Sequence, residues 1–329
     1  MTEQKSKVLF IFPGQGSQYC GIGSDLYAQF ASVRQVYQEA EQTLQQDIAE
    51  LSFHDPEGVI HFTRYTQLAL LTHQRACLAA YRELAGERAL RPSLLAGHSL
   101  GEYSALVEAG VLTFDAALRL VARRGELMGA TGAGKGMLAL TLDAASARSL
   151  AERHYCGVAG LNLPDQTVVG GAEGDLDALA AEMAERYPKK RAIRLQTQGA
   201  FHTYYMIEAA QHYRAALAEA EFSAPRVEVL SNYSGGLHEA DPETIRAYLF
   251  LQLFHPVNWL GCIQSALDAG VSHIIEFGGG IGGGESPAEK RPNLEGIIKK
   301  LVRGRESPPS YQAVINVETL RGAVLGSRL

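Results

Sequence analysis

The sequence predicts an α/β fold that carries a small inserted subdomain, and three observations point to it. Short apolar runs alternate with glycine turns and amphipathic helical stretches through residues 1–131 and again through 200–303, the pattern of a sheet covered by helices. Between them, residues 132–199 change texture to a strand-helix-strand-strand-helix-strand order, which is the split βαβ arrangement of a ferredoxin-like unit. The 329 residues fit two domains, or one large body with an insertion, at roughly 100–200 residues per domain.

Taken in order, residues 8–12 are an apolar run stopped by Pro13-Gly14-Gln15-Gly16, which reads as a buried strand feeding a turn. Residues 51–58 read as loop, and Leu68, Leu71, Ala76 and Leu78 recur at helical spacing within 66–85. A second strand at 93–96 enters a turn at 97–101, followed by helices at 102–109 and 116–128. In the insertion, strands are expected at 137–142, 158–163, 167–170 and 191–195, around helices at 144–153 and 176–187. Strands at 227–231 and 273–277 and a helix at 243–253 return to the first texture. Residues 304–329, with Pro308-Pro309 and scattered polar side chains, read as a partly extended tail.

Composition narrows the function. A hydrophobic fraction of 46% supplies a sizeable core. A net charge of −6, from 30 Lys+Arg against 36 Asp+Glu, argues against nucleic acid or an anionic membrane as the main partner. Cys20, Cys77, Cys156 and Cys262 stand far apart with no C-x-x-C pair, so neither a zinc site nor a disulfide framework is indicated. The five apolar residues before Pro13 are too few for a signal peptide, and no run approaches the roughly 20 apolar residues of a membrane span. A soluble protein of a reducing cytoplasm is expected.

The most informative segment is Gly97-His98-Ser99-Leu100-Gly101. Flanking glycines let a serine stand on a sharp strand-to-helix turn, where the helix N-terminus faces the place an oxyanion would form. A glycine turn that merely contains a serine is the plain alternative. An activated serine needs a base, and His202 follows a predicted strand and Gly199, where a loop can present it. His73 and His212 sit in helical patterns and His54 and His238 in polar loops, settings that suggest a surface role, and the His98 ring should point away from its neighbour. Spacing alone does not choose among them. Two glycine motifs read as decoys. Residues 129–135 match G-x-x-x-x-G-K, but Gly136 stands where magnesium needs Ser or Thr and a helix precedes the motif. Gly278, Gly280 and Gly283 match G-x-G-x-x-G, but Pro287 and Pro292 interrupt the helix that should follow.

Several segments together resemble one family, the malonyl-CoA:acyl carrier protein transacylases and related acyltransferases of polyketide synthases. They are Phe12-Pro13-Gly14-Gln15-Gly16-Ser17-Gln18, Gly97 to Glu102, Arg124-Gly125-Glu126-Leu127-Met128, Asn162-Leu163-Pro164 with Gln166 to Gly171, Gly199-Ala200-Phe201-His202, and Gln252-Leu253-Phe254 leading to Pro256-Val257-Asn258-Trp259. They occur in the family's order over about residues 7–280. The resemblance implies an α/β-hydrolase-like body with a ferredoxin-like insertion. It also implies a free-standing, trans-acting enzyme that moves malonyl from coenzyme A to a carrier protein through a serine ester.

Ser99 would then be the nucleophile and His202 the base, oriented by the Gln252 backbone carbonyl, with the amides of Gln15 and Leu100 as oxyanion hole. Arg124 would grip the malonyl carboxylate, since a guanidinium fork matches a carboxylate bidentately. Phe201, Asn162, His98 and Gln67 would line the acyl site, with Phe201 narrowing it against a branched α-carbon. No resident cofactor or metal is implied, and the partners would be a coenzyme A thioester and an acyl carrier protein, with the enzyme a monomer. An acyl hydrolase that clears stalled carrier proteins, or a transacylase for another acyl unit, shares the dyad, and a catalytically idle scaffold or nucleotide-binding module, resting on the two glycine motifs, is a third reading. The chain departs from the family at Leu68, at Thr203-Tyr204-Tyr205-Met206 and in the glycine run 278–284, where added glycines predict a more mobile loop. Lys189-Lys190-Arg191, Lys299-Lys300 and Arg303 with Arg305 are candidate docking clusters for an acidic carrier protein, or ordinary surface charge.

Overall fold

A computed structural model describes residues 6–326. Five strands, β1 (Lys7–Phe12), β2 (Leu94–Gly97), β7 (Glu228–Leu230), β8 (Val271–Phe277) and β9 (Ser310–Val314), form a parallel sheet in the order β7-β2-β1-β8-β9. Strands buried on both faces read as unbroken apolar runs, and Leu-Phe-Ile-Phe in β1 is one. Its side chains split by parity. Val8, Phe10 and Phe12 enter the large core against α4 (Thr63–Ala85) and α6 (Phe114–Thr131), whereas Leu9 and Ile11 enter a second core with Trp259 and Ile263 of α11 (Trp259–Asp268).

The second sheet has four antiparallel strands, β3 (Lys135–Leu140), β4 (Gly157–Leu163), β5 (Gln166–Ala172) and β6 (Ala192–Arg194), in the order β4-β5-β3-β6. Alternation again decides which side chain goes where. Leu138 and Leu140 pack with α7 (Ala144–Arg153) and α8 (Glu173–Arg186), while Met137, Ala139, Ala159 and Val168 face the body and meet Met128 and Phe201. Backbone bonds join the two parts, from Leu161 N–H to Val257 O at 2.9 Å and from Val257 N–H to Ala159 O at 3.0 Å.

The C-terminal residues correct the expectation of an extended tail. β9 is the fifth strand of the main sheet, and α13 (Val317–Gly326) packs on the body with Leu320, Ala323 and Val324 buried. The Val317 N–H donates to Asp25 Oδ2 at 2.7 Å, tying α13 to α1 (Ser24–Gln29) across the chain. Residues 51–58 are likewise not all loop, because α3 (Ile48–Phe53) runs into them with Asp47 as its N-cap. No helix of the described residues is long and apolar enough to cross a membrane.

Because Leu320 is fully buried in the main core, Leu320→Ala should lower stability by about 2–5 kcal/mol. Urea unfolding checks this, and an unchanged midpoint would mean that the C-terminal segment is not part of the cooperative unit.

Candidate active site

Ser99 stands between β2 and α5 (Gly101–Glu108) with a left-handed backbone, φ 53°. The turn closes so tightly that a Cβ at Gly97 would fall 1.8 Å from the Gly101 carbonyl carbon, and one at Gly101 2.1 Å from Phe12 O. Both flanking positions therefore require glycine. Asn232, just beyond β7, clamps the turn from the adjacent strand end. Its Oδ1 accepts from Ser99 N–H at 2.6 Å and its Nδ2 donates to Gly97 O at 2.7 Å.

His202 arrives 103 positions later, on the loop between β6 and α9 (Ile207–Glu219), also with a left-handed backbone, φ 61°. Its Nδ1–H donates to the Gln252 carbonyl at 2.7 Å. Since that carbonyl can only accept, Nε2 carries the lone pair, and Ser99 Oγ–H donates to it at 2.7 Å. Gln252 closes α10 (Pro242–Gln252), so its carbonyl is among those a helix C-terminus leaves unpaired. Burial, followed by the nearby Arg124 cation, pushes the His202 pKa down to about 3, against the opposing pull of the Gln252 carbonyl.

Arg124, on α6, is 1% exposed. Nη1 donates to Gln67 Oε1 at 2.7 Å, and Nη2 donates to Ser99 Oγ at 3.1 Å and to Gln252 Oε1 at 3.0 Å. Every one of these acceptors is neutral. Among the described residues Arg124 has no carboxylate partner, and its buried Nε has no acceptor. A buried cation without an anion is costly, so the site is built to receive a negative group beside Ser99.

Ser99, His202 and Arg124 face a cavity of about 270 Å³ whose walls include Met128, Met137, Val168 and Phe201. Other sequence-derived residues lie around it. Gln15 and Leu100 line it, and their backbone N–H groups have no protein acceptor among the described residues. Gln67, His98 and Asn162 line it too, with His98 Nε2 donating to Asn162 Oδ1 at 3.1 Å and the His98 ring edge-on to Trp259. Gln252 lies behind the dyad rather than on the wall. The variant glycine run leads into a loop held by mutual backbone bonds of Ile281 and Arg291 and by a Ser286–Glu289 capping box. It delivers α12 (Glu295–Leu301) so that Leu294 and Ile297 close one side of the cavity. Of the basic clusters, Lys299 is engaged by Glu295 at 2.7 Å.

Three residues of the site were not read from sequence. Asn232 had one usable signal, its place just past the strand that neighbours β2, at the carboxyl end of a parallel sheet where ligand-facing groups gather. Glu102 and His238 form a buried pair at 2.7 Å, which corrects the surface role expected of His238. His73, also read as a surface residue, is buried against Cys77.

Residues 9–277 match the family model described as an acyl transferase domain. A malonyl CoA-acyl carrier protein transacylase of Bacillus subtilis (strain 168) is 35% identical over 306 residues, 91% of each chain. The solved malonyl CoA-acyl carrier protein transacylase of Clostridium perfringens superposes with a TM-score of 0.87 at 27% identity, covering 98% of each chain. A chain from a complex of a type II PKS acyl-carrier protein with its malonyl-transacylase gives 0.85 at 32% identity, covering 98% of this chain and 100% of the other.

The neutral form of His202 can accept the Ser99 proton at Nε2, and it persists above a pKa lowered to about 3. Modification of Ser99 by a sulfonyl fluoride should therefore keep its rate well below the ordinary histidine pKa of about 6.5. Arg124→Gln removes the second-largest of the lowering causes and should move the inflection upward. A wild-type inflection at the ordinary value would contradict the buried, cation-flanked setting.

Proposed function

The chain belongs to the acyl transferase family, and from that premise we propose that it carries malonyl from malonyl-CoA to the phosphopantetheine thiol of an acyl carrier protein. The observation that carries this reading is the buried guanidinium of Arg124, unpaired by any described carboxylate and 3.1 Å from Ser99 Oγ. A free carboxylate two bonds from a thioester carbonyl would pair with that guanidinium while placing the carbonyl at the serine.

In the first half-reaction Ser99 Oγ attacks the thioester carbonyl, and His202 Nε2 takes its proton. The backbone N–H groups of Gln15 and Leu100 receive the oxyanion. As the C–S bond breaks, His202 returns the proton to the departing thiolate and coenzyme A leaves, with malonyl held as an ester on Ser99. In the second half-reaction the pantetheine thiol gives its proton to His202 and attacks the ester, and the proton passes back to Ser99 Oγ. A carboxylate on Arg124 also offsets the cation that helps to depress His202, so a malonyl group strengthens its own base. The walls formed by Met128, Met137 and Phe201 favour an unbranched chain and keep water from the ester, which supports transfer over hydrolysis.

The route calls for no resident cofactor, since nucleophile, base and oxyanion donors all come from the chain. The enzyme would serve fatty acid or polyketide synthesis in trans, in the cytoplasm. Malonyl-CoA should add one malonyl mass to the intact protein at Ser99, and Ser99→Ala should abolish the adduct. Arg124→Ala should cut the preference for malonyl over acetyl by roughly 10- to 150-fold, corresponding to about 1.5–3 kcal/mol for a charge-assisted hydrogen bond. A panel of acyl-CoAs scored by intact mass decides it. Undiminished malonyl preference in that variant, or free malonate as the main product with carrier protein present, would overturn the reading.

A further inference from the structure

Behind the dyad, outside the cavity, lies a carboxylate on which both halves of the site converge. Glu102 is in the first turn of α5, three residues after Ser99, and is 1% exposed. Its Oε2 accepts from Gln252 Nε2 at 2.6 Å and from Asn232 N–H at 3.3 Å. Gln252 is the residue whose carbonyl orients His202, whose Oε1 receives Arg124 and whose Nε2 also donates to Ser99 O at 3.1 Å. Asn232 is the residue that clamps the backbone leading into the nucleophile, at Gly97 O and at the Ser99 N–H. One side chain thus fixes the supports of the nucleophile, the base and the buried cation.

The remaining oxygen, Oε1, has a single donor among the described residues, His238 Nε2 at 2.7 Å. His238 is itself held in place. Its backbone N–H donates to Val229 O at 2.8 Å, and its ring lies 5.6 Å from that of Tyr248. We propose that His238 is a positioning residue for the acyl transfer, acting through Glu102 on Gln252 and Asn232. Without it, a buried carboxylate oxygen is left unpaired. The carboxylate then rotates to find another donor, and the Gln252 carbonyl and the Asn232 clamp move with it. The inference rests on the reading of Ser99 and His202 as the reacting pair. Hydrogen-bonded networks of this kind act as units, so loss at one end is felt at the other.

The test uses full-length His238→Leu, His238→Asn and His238→Gln, with thermal unfolding to confirm folding and rapid-quench acylation of Ser99 by malonyl-CoA as the readout. The glutamine amide reaches about as far as imidazole Nε2 and can donate to Oε1, whereas asparagine is too short. His238→Leu and His238→Asn should lower the acylation rate constant by roughly 10- to 100-fold, with half-saturation by malonyl-CoA within about twofold of wild type. His238→Gln should recover most of the rate. Should the leucine variant fail to fold, the comparison of asparagine with glutamine decides alone. Equal rates in asparagine and glutamine variants, or a change confined to half-saturation, would overturn the proposal. Ser99→Ala and His202→Ala serve as separate controls. If those two abolish acylation and the His238 series is flat, only the positioning role falls, whereas a malonyl adduct on Ser99→Ala would bring down the dyad reading itself.

Discussion

A buried guanidinium that has no carboxylate partner among the described residues organises this protein. Removing an ion from water costs several kcal/mol even after relaxation, and around Arg124 neutral oxygens from Gln67, Gln252 and Ser99, with the face of the Tyr103 ring 5.6 Å away, partly offset that cost. Each of those oxygens is held elsewhere in turn: Gln67 by its place in α4, Gln252 by the end of α10 and by Glu102, and Ser99 by the Asn232 clamp. Charge also reaches His202, because the same cation is the second cause of its lowered pKa. Recognition and reactivity are therefore one electrostatic problem here. The buried site pays for selectivity in base strength, and a bound carboxylate returns part of it.

The cavity exists because two sheets of opposite kind meet. A parallel sheet alone would present Ser99 at its carboxyl end, open to solvent. The antiparallel sheet covers it because strand alternation sends Met137, Ala139, Ala159 and Val168 to the side opposite its own helices, where they find Met128 and Phe201. Backbone bonds between Val257 and the pair Ala159 and Leu161 fix the position of that cover. The same arrangement explains why the base follows the insertion in sequence. The chain must return from β6 to the body, and His202 sits on the return path, with its N–H donating to Leu253 O at 3.2 Å.

What could be read from the sequence, and what could not, follows from the range of the interactions involved. Apolar periodicity is local, and it placed the strands of both sheets other than β9, and the helices of the insertion, to within a few residues. Ser99 was legible because its glycines and the preceding apolar strand are adjacent to it. Once the segments around His202 and Arg124 were seen in register with a family, those residues were legible as well. Asn232 and His238 had no comparable local mark, since their partners lie 133 and 136 positions away. Ser-Gly-Gly-Leu-His-Glu looks solvated by composition, and only packing behind α5 buries its histidine. The C-terminal strand failed for another reason. β9 is an edge strand with polar and half-exposed residues, and α13 contains Gly322, so neither shows a clean period.

The strain at the reacting pair completes the physical picture. Ser99 and His202 both hold left-handed backbones that side-chain-bearing residues adopt at a cost of about 1–3 kcal/mol each. Glycine would relieve that cost but would remove the hydroxyl and the imidazole, so the relief has to come from neighbours. At Ser99 it comes from Gly97 and Gly101, which allow the turn to close, and from Asn232, which bonds the chain at Gly97 O and at the Ser99 N–H. At His202 it comes from two acceptors one residue apart, Gln252 O for the ring and Leu253 O for the backbone. The helix end that supplies both is the one anchored by Glu102. The conformations that place oxygen and nitrogen 2.7 Å apart thus persist because the support is shared between the two residues that need it.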